Sequence, residues 1–468
     1  MKRKILCAAG AAIMLFSTSV AQQWHPVNPE LANVVDIFSL SAPSQDVAWG
    51  TQRSISGGNS QSYVKTVDGG KTWRSVTIVK PQGKNIINYD WASLHALDSS
   101  TAWASFFNGG SKNGGLICKT SDGGKTWINQ STATMFANAK SFLDFTYFWD
   151  ANEGVAVGDP ITPTGTTNTY YEIYTTTNGG ATWTAISKDS IPVPLVNEAT
   201  TINLFSVKGN TIWFGSNKGR MFKSADRGHH WTASAAFCQL VYNVDFVDAT
   251  HGLANQNDSL FSSSDGGATW TRINPTTSFF SGDIRAIPNS KLFVSSGGHK
   301  IDKTHTKWSS SISRDYGKTW AVLPYPTNAY KDSLSVSTMA FVDSTHGFAG
   351  GFKKVAGAPI DTTTNYVDFT MMYTWTATPT VLSVNRLAAK ELSLYPNPAN
   401  SVVYLKLDNK MSEVTISVYN ALGSLVKNIS ANGRNGLAEV NISDLDKGVY
   451  FIQAQDKDNV YRNKFIKE

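Results

Sequence analysis

Short apolar segments of strand length recur in pairs along most of the chain. In each pair an apolar strand leads through a short polar turn into a second strand of small and aromatic residues. Runs of this length, bounded by Asp, Asn, Ser and Gly, predict β-hairpins. The chain therefore carries seven copies of one hairpin. They lie at residues 36–50, 90–104, 144–158, 203–215, 243–255, 283–295 and 338–350.

A second pattern, which we call the box, follows six of these hairpins. It consists of Ser or Thr, an Asp or Asn two positions later, then Gly, and then Trp, as at residues 66–73. The Asp or Asn can accept backbone N–H bonds within a turn, and Gly adopts positive φ at little cost. The Trp is a large apolar anchor that can bury roughly 150–250 Å². We therefore predict a structural role in the turn for the third residue of each box. These residues are Asp68, Asp122, Asn178, Asp226, Asp265 and Asp315.

The spacing of the boxes predicts the fold class. Successive box Trp residues lie 54, 56, 48, 39 and 50 positions apart, which is the period of a four-stranded propeller blade. We therefore predict an all-β chain with a seven-bladed β-propeller at residues 22–376. The seventh copy lacks the box, because Thr370 and Met372 stand at the Asp and Gly positions. Residues 24–27 resemble the strand after a box, and we expect them to pair into that last blade and remove its open edge.

The first residues have the order of a secretory signal peptide. Three cations at residues 2–4 precede an apolar run at 5–16 and small residues at 19–21, so we predict a cleaved signal at residues 1–21. This segment holds three Lys or Arg and no acid, so its removal lowers the formal net charge from +6 to +3. No cationic run interleaved with aromatic residues follows, and nucleic acid is therefore not an expected partner. No later apolar stretch reaches the roughly 18 residues of a membrane span.

The tail has a different pattern. Residues 377–391 are rich in Thr and Ala without a repeat and are expected to be a linker. Residues 392–468 alternate apolar and polar positions between turn residues, which predicts a small Ig-like β-sandwich.

Four segments of this tail carry a family resemblance. They are Tyr395-Pro-Asn-Pro, Tyr419-Asn-Ala-Leu-Gly, Leu445-Asp-Lys-Gly-Val-Tyr and Lys464-Phe-Ile-Lys. In this order they resemble the type A C-terminal sorting domain of the type IX (Por) secretion system. The resemblance implies a Bacteroidetes source, recognition of the tail by the type IX translocon, and a protein that is secreted or held at the outer-membrane surface.

The propeller resembles a family as well. Its boxes look like Asp-box (BNR) repeats, and residues 153–160 followed by 174–183 look like propellers related to the photosystem II assembly and stability factor. Such repeats also occur in sialidases and xyloglucanases, so the resemblance implies a fold more than an activity.

The acids and arginines of the propeller are its candidate catalytic groups. A sialidase clamps its substrate carboxylate with three Arg residues, whereas only Arg285 of the seven propeller Arg residues lies on a predicted inner strand. A neutral-glycan hydrolase needs only two carboxylates about 5–9.5 Å apart. The candidates are Asp90, Asp144 and Asp283, with Asp36 and Asp245 also near inner strands. The alternative is that these acids bond neighbouring strand ends.

A ligand surface is predicted on the loops that join the blades, because such loops on a rigid scaffold often carry binding residues. The candidates, each of which could instead pack between blades, are Tyr89, Trp91, Phe136, Arg285, Tyr325 and Tyr330. Insertions at 53–63, 162–171 and 353–366 are expected on the opposite side. No metal or nucleotide motif is recognisable, so no cofactor is expected.

Together these patterns favour an exported propeller that acts as a non-catalytic binding or assembly scaffold at the cell surface, with a glycan or a protein as ligand. The alternative is a secreted glycoside hydrolase that acts on a neutral glycan with two carboxylates.

Overall fold

The chain folds into two compact units, residues 21–378 and a unit that includes residues 379–468. Each is described here by itself, from a computed structural model. The structure describes residues 20–27, 29, 31, 35–54, 59–78, 81–109, 113–137, 142–162, 169–275, 279–300, 306–323, 334–353, 369–379, 390–407, 414–421, 425–431, 436–455 and 460–468.

The first unit consists of seven four-stranded sheets, numbered here as blades 1 to 7. Blade 1 contains β2 (Val35–Ser41), β3 (Ala48–Ser54), β4 (Ser62–Thr66) and β5 (Arg74–Thr77), and blade 2 contains β6 (Tyr89–Ala96), β7 (Ala102–Asn108), β8 (Asn113–Thr120) and β9 (Ile128–Asn129). Blade 3 contains β10 (Leu143–Phe148), β11 (Gly154–Ile161), β12 (Tyr170–Thr176) and β13 (Thr184–Ala185), and blade 4 contains β14 (Thr200–Lys208), β15 (Thr211–Ser216), β16 (Met221–Ser224) and β17 (Thr232–Ala233). Blade 5 contains β18 (Asn243–Phe246), β19 (Gly252–Gln256), β20 (Ser259–Ser263) and β21 (Thr271–Ile273), and blade 6 contains β22 (Asp283–Ala286), β23 (Phe293–Lys300), β24 (Thr306–Ser313) and β25 (Ala321–Val322). Blade 7 contains β26 (Leu334–Phe341), β27 (His346–Lys353), β28 (Phe369–Pro379) and the N-terminal β1 (Val20–Val27). Two 3₁₀ helices, Pro81–Gly83 and Lys188–Ser190, lie in loops between blades.

The N-terminal strand closes the ring. β1 pairs with β28 at the outer edge of blade 7, as the resemblance of residues 24–27 to a post-box strand predicts. Trp24 is buried, and its ring centroid lies 4.9 Å from that of Trp375 and 5.5 Å from that of Phe341. The last blade is thereby completed by the opposite end of the propeller chain, and its outer edge is paired.

The alternation of strand direction gives the propeller two faces. In blade 1, Asp36 near the start of the innermost strand lies opposite Arg53 near the end of the second strand. The loops between blades and the hairpins between second and third strands therefore share one face, which we call the loop face. The boxes and the turns between first and second strands lie on the other, the box face. The insertions at 53–63 and 353–366 follow β3 and β27, and the ends of these strands lie beside the starts of β2 and β26. They therefore begin on the loop face, and the prediction that they lie opposite the blade-joining loops is wrong.

The boxes form one hydrogen-bonded turn six times. In the first, Asp68 accepts the Thr72 backbone N–H at 3.0 Å, and the Thr66 hydroxyl accepts the Gly70 N–H at 3.0 Å. The Trp73 indole donates to the Gly70 carbonyl at 3.1 Å. Asn178 makes the same backbone bond as the aspartates. The matching bonds of the other boxes involve Asp122, Asp226, Asp265 and Asp315.

The second unit is a sandwich of two sheets. A five-stranded sheet has the order β29 (Lys390–Glu391), β36 (Val460–Lys467), β35 (Gly448–Gln455), β32 (Val414–Tyr419) and β33 (Leu425–Ala431). A three-stranded sheet consists of β30 (Ser393–Tyr395), β31 (Val402–Lys406) and β34 (Leu437–Asn441). A core that includes Val403, Ile416 and Ile452 lies between them. Both ends of the predicted 377–391 linker belong to strands, since β28 runs to Pro379 and β29 pairs with β36.

The described part of the chain contains no helix that is long and apolar enough to cross a membrane.

Candidate functional site

A polar cavity of about 320 Å³ opens on the loop face, where the innermost strands of five blades begin. We call it the channel mouth. Its lining includes Asp36, Phe38, Arg53, Tyr242, Asn243, Asp283, Arg285 and Ser337.

The blade 6 side of the channel mouth holds a buried ion pair. Arg285 donates from Nε to Asp283 Oδ2 at 3.2 Å, and the Asp283 side chain is 4% exposed. Asp283 also accepts the backbone N–H of Met339 in blade 7 at 2.9 Å and that of Ile284 at 3.0 Å. Burial raises the pKa of Asp283, although Arg285 opposes this shift. The carboxylate therefore ties blade 6 to blade 7 while it positions Arg285 at the cavity.

The blade 1 side holds a second cation and carboxylate. The Arg53 guanidinium carbon lies 3.3 Å from the centroid of the Phe38 ring. Burial lowers the pKa of Arg53, while the nearby Asp90 and Asp36 carboxylates oppose the shift. Burial raises the pKa of Asp36. Arg53 Nε is buried without a hydrogen-bond partner in the described part of the chain.

The rim of the channel mouth adds an aromatic side chain. Tyr242 is 46% exposed and directly precedes β18. The neighbouring Asn243 amide donates to Asn255 Oδ1 and to the Gly282 carbonyl, both at 3.1 Å. These bonds fix the backbone beside Tyr242. The channel mouth thus combines paired charges with one half-exposed aromatic ring.

Asp144 lies outside the channel mouth and forms a carboxyl pair with Asp159. Asp144 is buried on β10, and its carboxyl group lies within hydrogen-bonding distance of the Asp159 carboxyl group on β11. Burial and the neighbouring carboxylate raise the pKa of Asp144 well above its ordinary value. Burial raises the pKa of Asp159 to about 6. Asp159 also accepts the Thr200 backbone N–H of blade 4 at 3.0 Å, so the pair joins two blades.

Asp90 and Tyr89 lie at the start of β6. Asp90 accepts the backbone N–H of Trp91 at 2.8 Å and that of Ser60 at 3.3 Å. The half-buried Tyr89 packs against the core between blades 1 and 2, and the Lys84 ammonium lies 5.3 Å from its ring centroid. Asp90 thus anchors the third strand of blade 1 to blade 2.

Two of the predicted platform residues are interior. Trp91 and Phe136 are 0% and 1% exposed. The Trp91 indole donates to the Ser62 carbonyl at 3.0 Å, and the Phe136 ring packs against Tyr174 at 5.3 Å. Their side chains therefore do not form a ligand surface, because both fill space between blades. Tyr325 and Tyr330 lie outside the described residues.

Sequence reasoning missed Arg53, Tyr242 and Asp159. The sequence predicts Arg53 at the start of the 53–63 insertion, on the side opposite the blade-joining loops, whereas the β2–β3 register places it opposite Asp36. The signal that could have identified Arg53 is Asp36, the acid on the first strand of the same hairpin. In the described part of the chain, no group of three or more His, Cys, Asp or Glu side chains could hold a metal ion.

Residues 393–468 match the family described as the secretion system C-terminal sorting domain. The match identifies the tail as a sorting domain of the type IX system and indicates export to the cell surface or the extracellular space.

Two enzymes of known activity are similar to parts of this chain. A xyloglucanase from Paenibacillus sp is 25% identical over 301 residues, which are 54% of this chain and 29% of that enzyme. The ulvan lyase NLR42 from Nonlabens ulvanivorans is 32% identical over 93 residues, which are 20% of this chain and 17% of that enzyme. The chain therefore spans less than a third of the length of either enzyme.

Solved structures with the same fold include two of YCF48. The structure described as YCF48 bound to D1 peptide has a TM-score of 0.51 and 15% identity, over 77% of this chain and 98% of that chain. YCF48 from Cyanidioschyzon merolae has a TM-score of 0.52 and 17% identity, over 75% of this chain and 98% of that chain. At this identity the likeness shows the propeller fold alone.

Proposed function

We propose that this protein is an exported β-propeller that binds a neutral glycan at its channel mouth without cleaving it. The tail delivers the propeller to the cell surface or the medium, and the propeller acts there as a binding scaffold. The observation that carries this proposal is the pairing of charges at the channel mouth, where Asp283 and Arg285 form an ion pair and Arg53 lies near Asp36.

Paired charges suit a ligand that is rich in hydroxyl groups. Each hydroxyl donates and accepts, so it can bond a guanidinium and the half-buried Asp36 carboxylate at once. A charged ligand would be repelled by the charges of its own sign in the cavity, because each cation there has an acid close by. Tyr242 at the rim offers an apolar ring with a polar tip, which suits the face of a sugar.

The carboxylates favour binding over hydrolysis. Asp283 is occupied by two backbone N–H groups and Arg285. Asp144 and Asp159 lie within hydrogen-bonding distance, closer than the roughly 5–9.5 Å between the carboxyl groups of glycosidases. These contacts support a role of the acids in joining blades.

A glycoside hydrolase is the second candidate, and the similarity to a xyloglucanase over 54% of this chain favours it. This candidate would use two acids among Asp90, Asp144 and Asp283, of which only Asp283 lines the channel mouth. It predicts the release of reducing ends from a neutral polysaccharide.

Calorimetry of the mature chain against a panel of neutral and acidic oligosaccharides tests the proposal. We expect a neutral oligosaccharide to bind and Tyr242→Ala to weaken its affinity about tenfold, the loss of about 1.4 kcal/mol of contact energy. Arg74→Gln, on an exposed outer strand, is the matched control and should bind as the wild type does. Binding that Tyr242→Ala does not weaken, or binding of a protein partner alone, would overturn the assignment of the channel mouth as a glycan site.

Incubation of the same oligosaccharides with the mature chain distinguishes the two candidates. We expect no increase in reducing ends during binding. Turnover that Asp283→Asn or Asp144→Asn abolishes would establish the hydrolase instead.

A further inference from the structure

One face of the C-terminal sandwich carries a row of exposed apolar side chains. On the outer side of the five-stranded sheet, Tyr419 lies opposite both Leu425 and Phe451. Val449 lies opposite Ile466 on the next strand pair. The exposed fractions are 53% for Leu425, 48% for Phe451, 46% for Ile466 and 43% for Val449. We call these five residues the outer patch.

Two cations lie beside the outer patch on β36. Lys464 lies opposite Phe451, and Arg462 lies opposite Gln453 on the same two strands. Both cations are exposed. Among the described outward residues of β32, β33, β35 and β36 there is no Asp or Glu. The nearest described acids are Glu391 on the edge strand β29, which lies opposite Arg462, and Glu468 after β36. A surface with an apolar centre and a cationic border complements a partner with an apolar centre and an acidic border.

The other face of the sandwich differs in this respect. Leu437 on β34 is 45% exposed, but it lies opposite Lys406, and Glu439 is exposed two positions further along the strand. Apolar, basic and acidic side chains alternate there. That face therefore supplies matched control positions of the same exposure and secondary structure.

Three of the motif segments of the tail contribute to the outer patch. Residues 419–423 supply Tyr419, residues 445–450 supply Val449, and residues 464–467 supply Ile466, with Lys464 at the border of the outer patch. The inward positions of the last two segments, Tyr450 and Phe465, are buried with ring centroids 5.5 Å apart. Core packing accounts for the inward positions, whereas the outward positions contribute little to the core.

We propose that the outer patch is the surface by which the export machinery holds this domain, through an apolar contact bordered by acids on the partner. The domain matches a secretion sorting domain, so the partner that must recognise it belongs to that system. Exposed apolar clusters with a polar border mark interaction sites. The proposal concerns delivery and is independent of the ligand that the propeller binds.

The test measures the export of the full chain in a bacterium that has a type IX secretion system. We expect the double variant Phe451→Ser, Ile466→Ser to reduce the exported fraction about tenfold or more, as truncation of a central apolar anchor does. The protein should accumulate in the periplasm in folded form, with the melting temperature of the purified chain close to that of the wild type. Lys464→Glu should give a smaller loss. The controls Leu437→Ser and Lys406→Glu on the other face should be exported normally.

The outcomes separate this proposal from the sorting role itself. Deletion of residues 392–468 should abolish export whichever face is used. If the deletion abolishes export and the double variant is exported normally, the outer patch is not the docking surface. Equal losses from the variants of both faces would also overturn the assignment. Light scattering gives the last check, since a wild-type dimer that the double variant splits without loss of export would make the outer patch a self-association surface.

Discussion

The two faces of the propeller use aspartate in opposite ways. On the box face, Asp122 and Asp265 accept hydrogen bonds from Thr side chains and backbone N–H groups, which lower their pKa values to about 2. On the inner strands, burial raises the pKa values of Asp144 and Asp283. The first group lies in solvent and stabilises a turn within one blade. The second group is buried and joins one blade to another.

The box aspartates therefore stabilise local structure, whereas the inner aspartates stabilise contacts between distant segments of the chain. A box carboxylate bonds residues within four positions of itself, so each turn is complete within its own segment. An inner carboxylate depends on a distant strand, as Asp283 does on the Met339 N–H of blade 7. Loss of a box acid should therefore weaken one turn, whereas loss of an inner acid should weaken the ring.

The largest effect is expected from Asp283→Ala. It removes the bond to blade 7 and leaves the Arg285 cation, whose side chain is 25% exposed, without its hydrogen-bonded partner, which costs about 3–5 kcal/mol. Denaturant unfolding followed by the fluorescence of the buried Trp residues measures the loss. Asp265→Ala on the box face is the control and should cost about 1 kcal/mol, the value of an ordinary hydrogen bond. Equal costs would remove the distinction between the faces.

The dependence of stability on pH is expected to distinguish the same two groups. The pKa of Asp159 is raised from 3.8 to about 6, so its stabilisation is complete below pH 3.8 and is lost as the pH rises through about 6. The pKa of Asp265 is lowered to about 2, so its stabilisation is present above pH 3.8 and is lost as the pH falls towards 2. For the buried Asp159, a shift of about two pKa units corresponds to up to about 3 kcal/mol. For the exposed Asp265, solvent screening reduces the contribution to about 1 kcal/mol or less.

Melting temperatures between pH 2.5 and 8 check both slopes. Asp159→Asn should raise the melting temperature at pH 7 and flatten the decline above pH 4, because the amide can donate to Asp144 without ionising. Asp265→Asn should lower the melting temperature slightly above about pH 4 and flatten the decline towards pH 2, because the amide does not ionise. If the melting temperature of Asp159→Asn falls between pH 4 and 7 as steeply as that of the wild type, ionisation of Asp159 is not the cause of the decline.

The fold was predictable from the sequence because its signals are local. The box and the Trp spacing repeat in six segments, and residues 24–27 resemble the strands that follow the boxes. The site was less predictable because it depends on register and on distant partners. A β-bulge between Ile37 and Ser39 accompanies the register that sets Arg53 opposite Asp36. Phe136, in a loop that sequence reasoning placed at the surface, is buried because its N–H bonds the buried Glu172 carboxylate at 2.7 Å.

The smallest expected effect tests how the box face itself holds neighbouring blades. Gly228, in the fourth box, has a φ of +93°, and a Cβ there would lie 2.8 Å from Val155 Cγ2 of blade 3. Gly209 has a φ of +57° with no heavy atom within 4 Å of such a Cβ. We expect Gly209→Ala to cost about 1 kcal/mol from the left-handed backbone alone. Gly228→Ala should cost about 2–3 kcal/mol, because the overlap with blade 3 adds to that strain. Denaturant unfolding of the two variants gives the difference. If both cost the same, the box turns stabilise only their own blades, and contact between blades belongs to the inner strands and their buried acids.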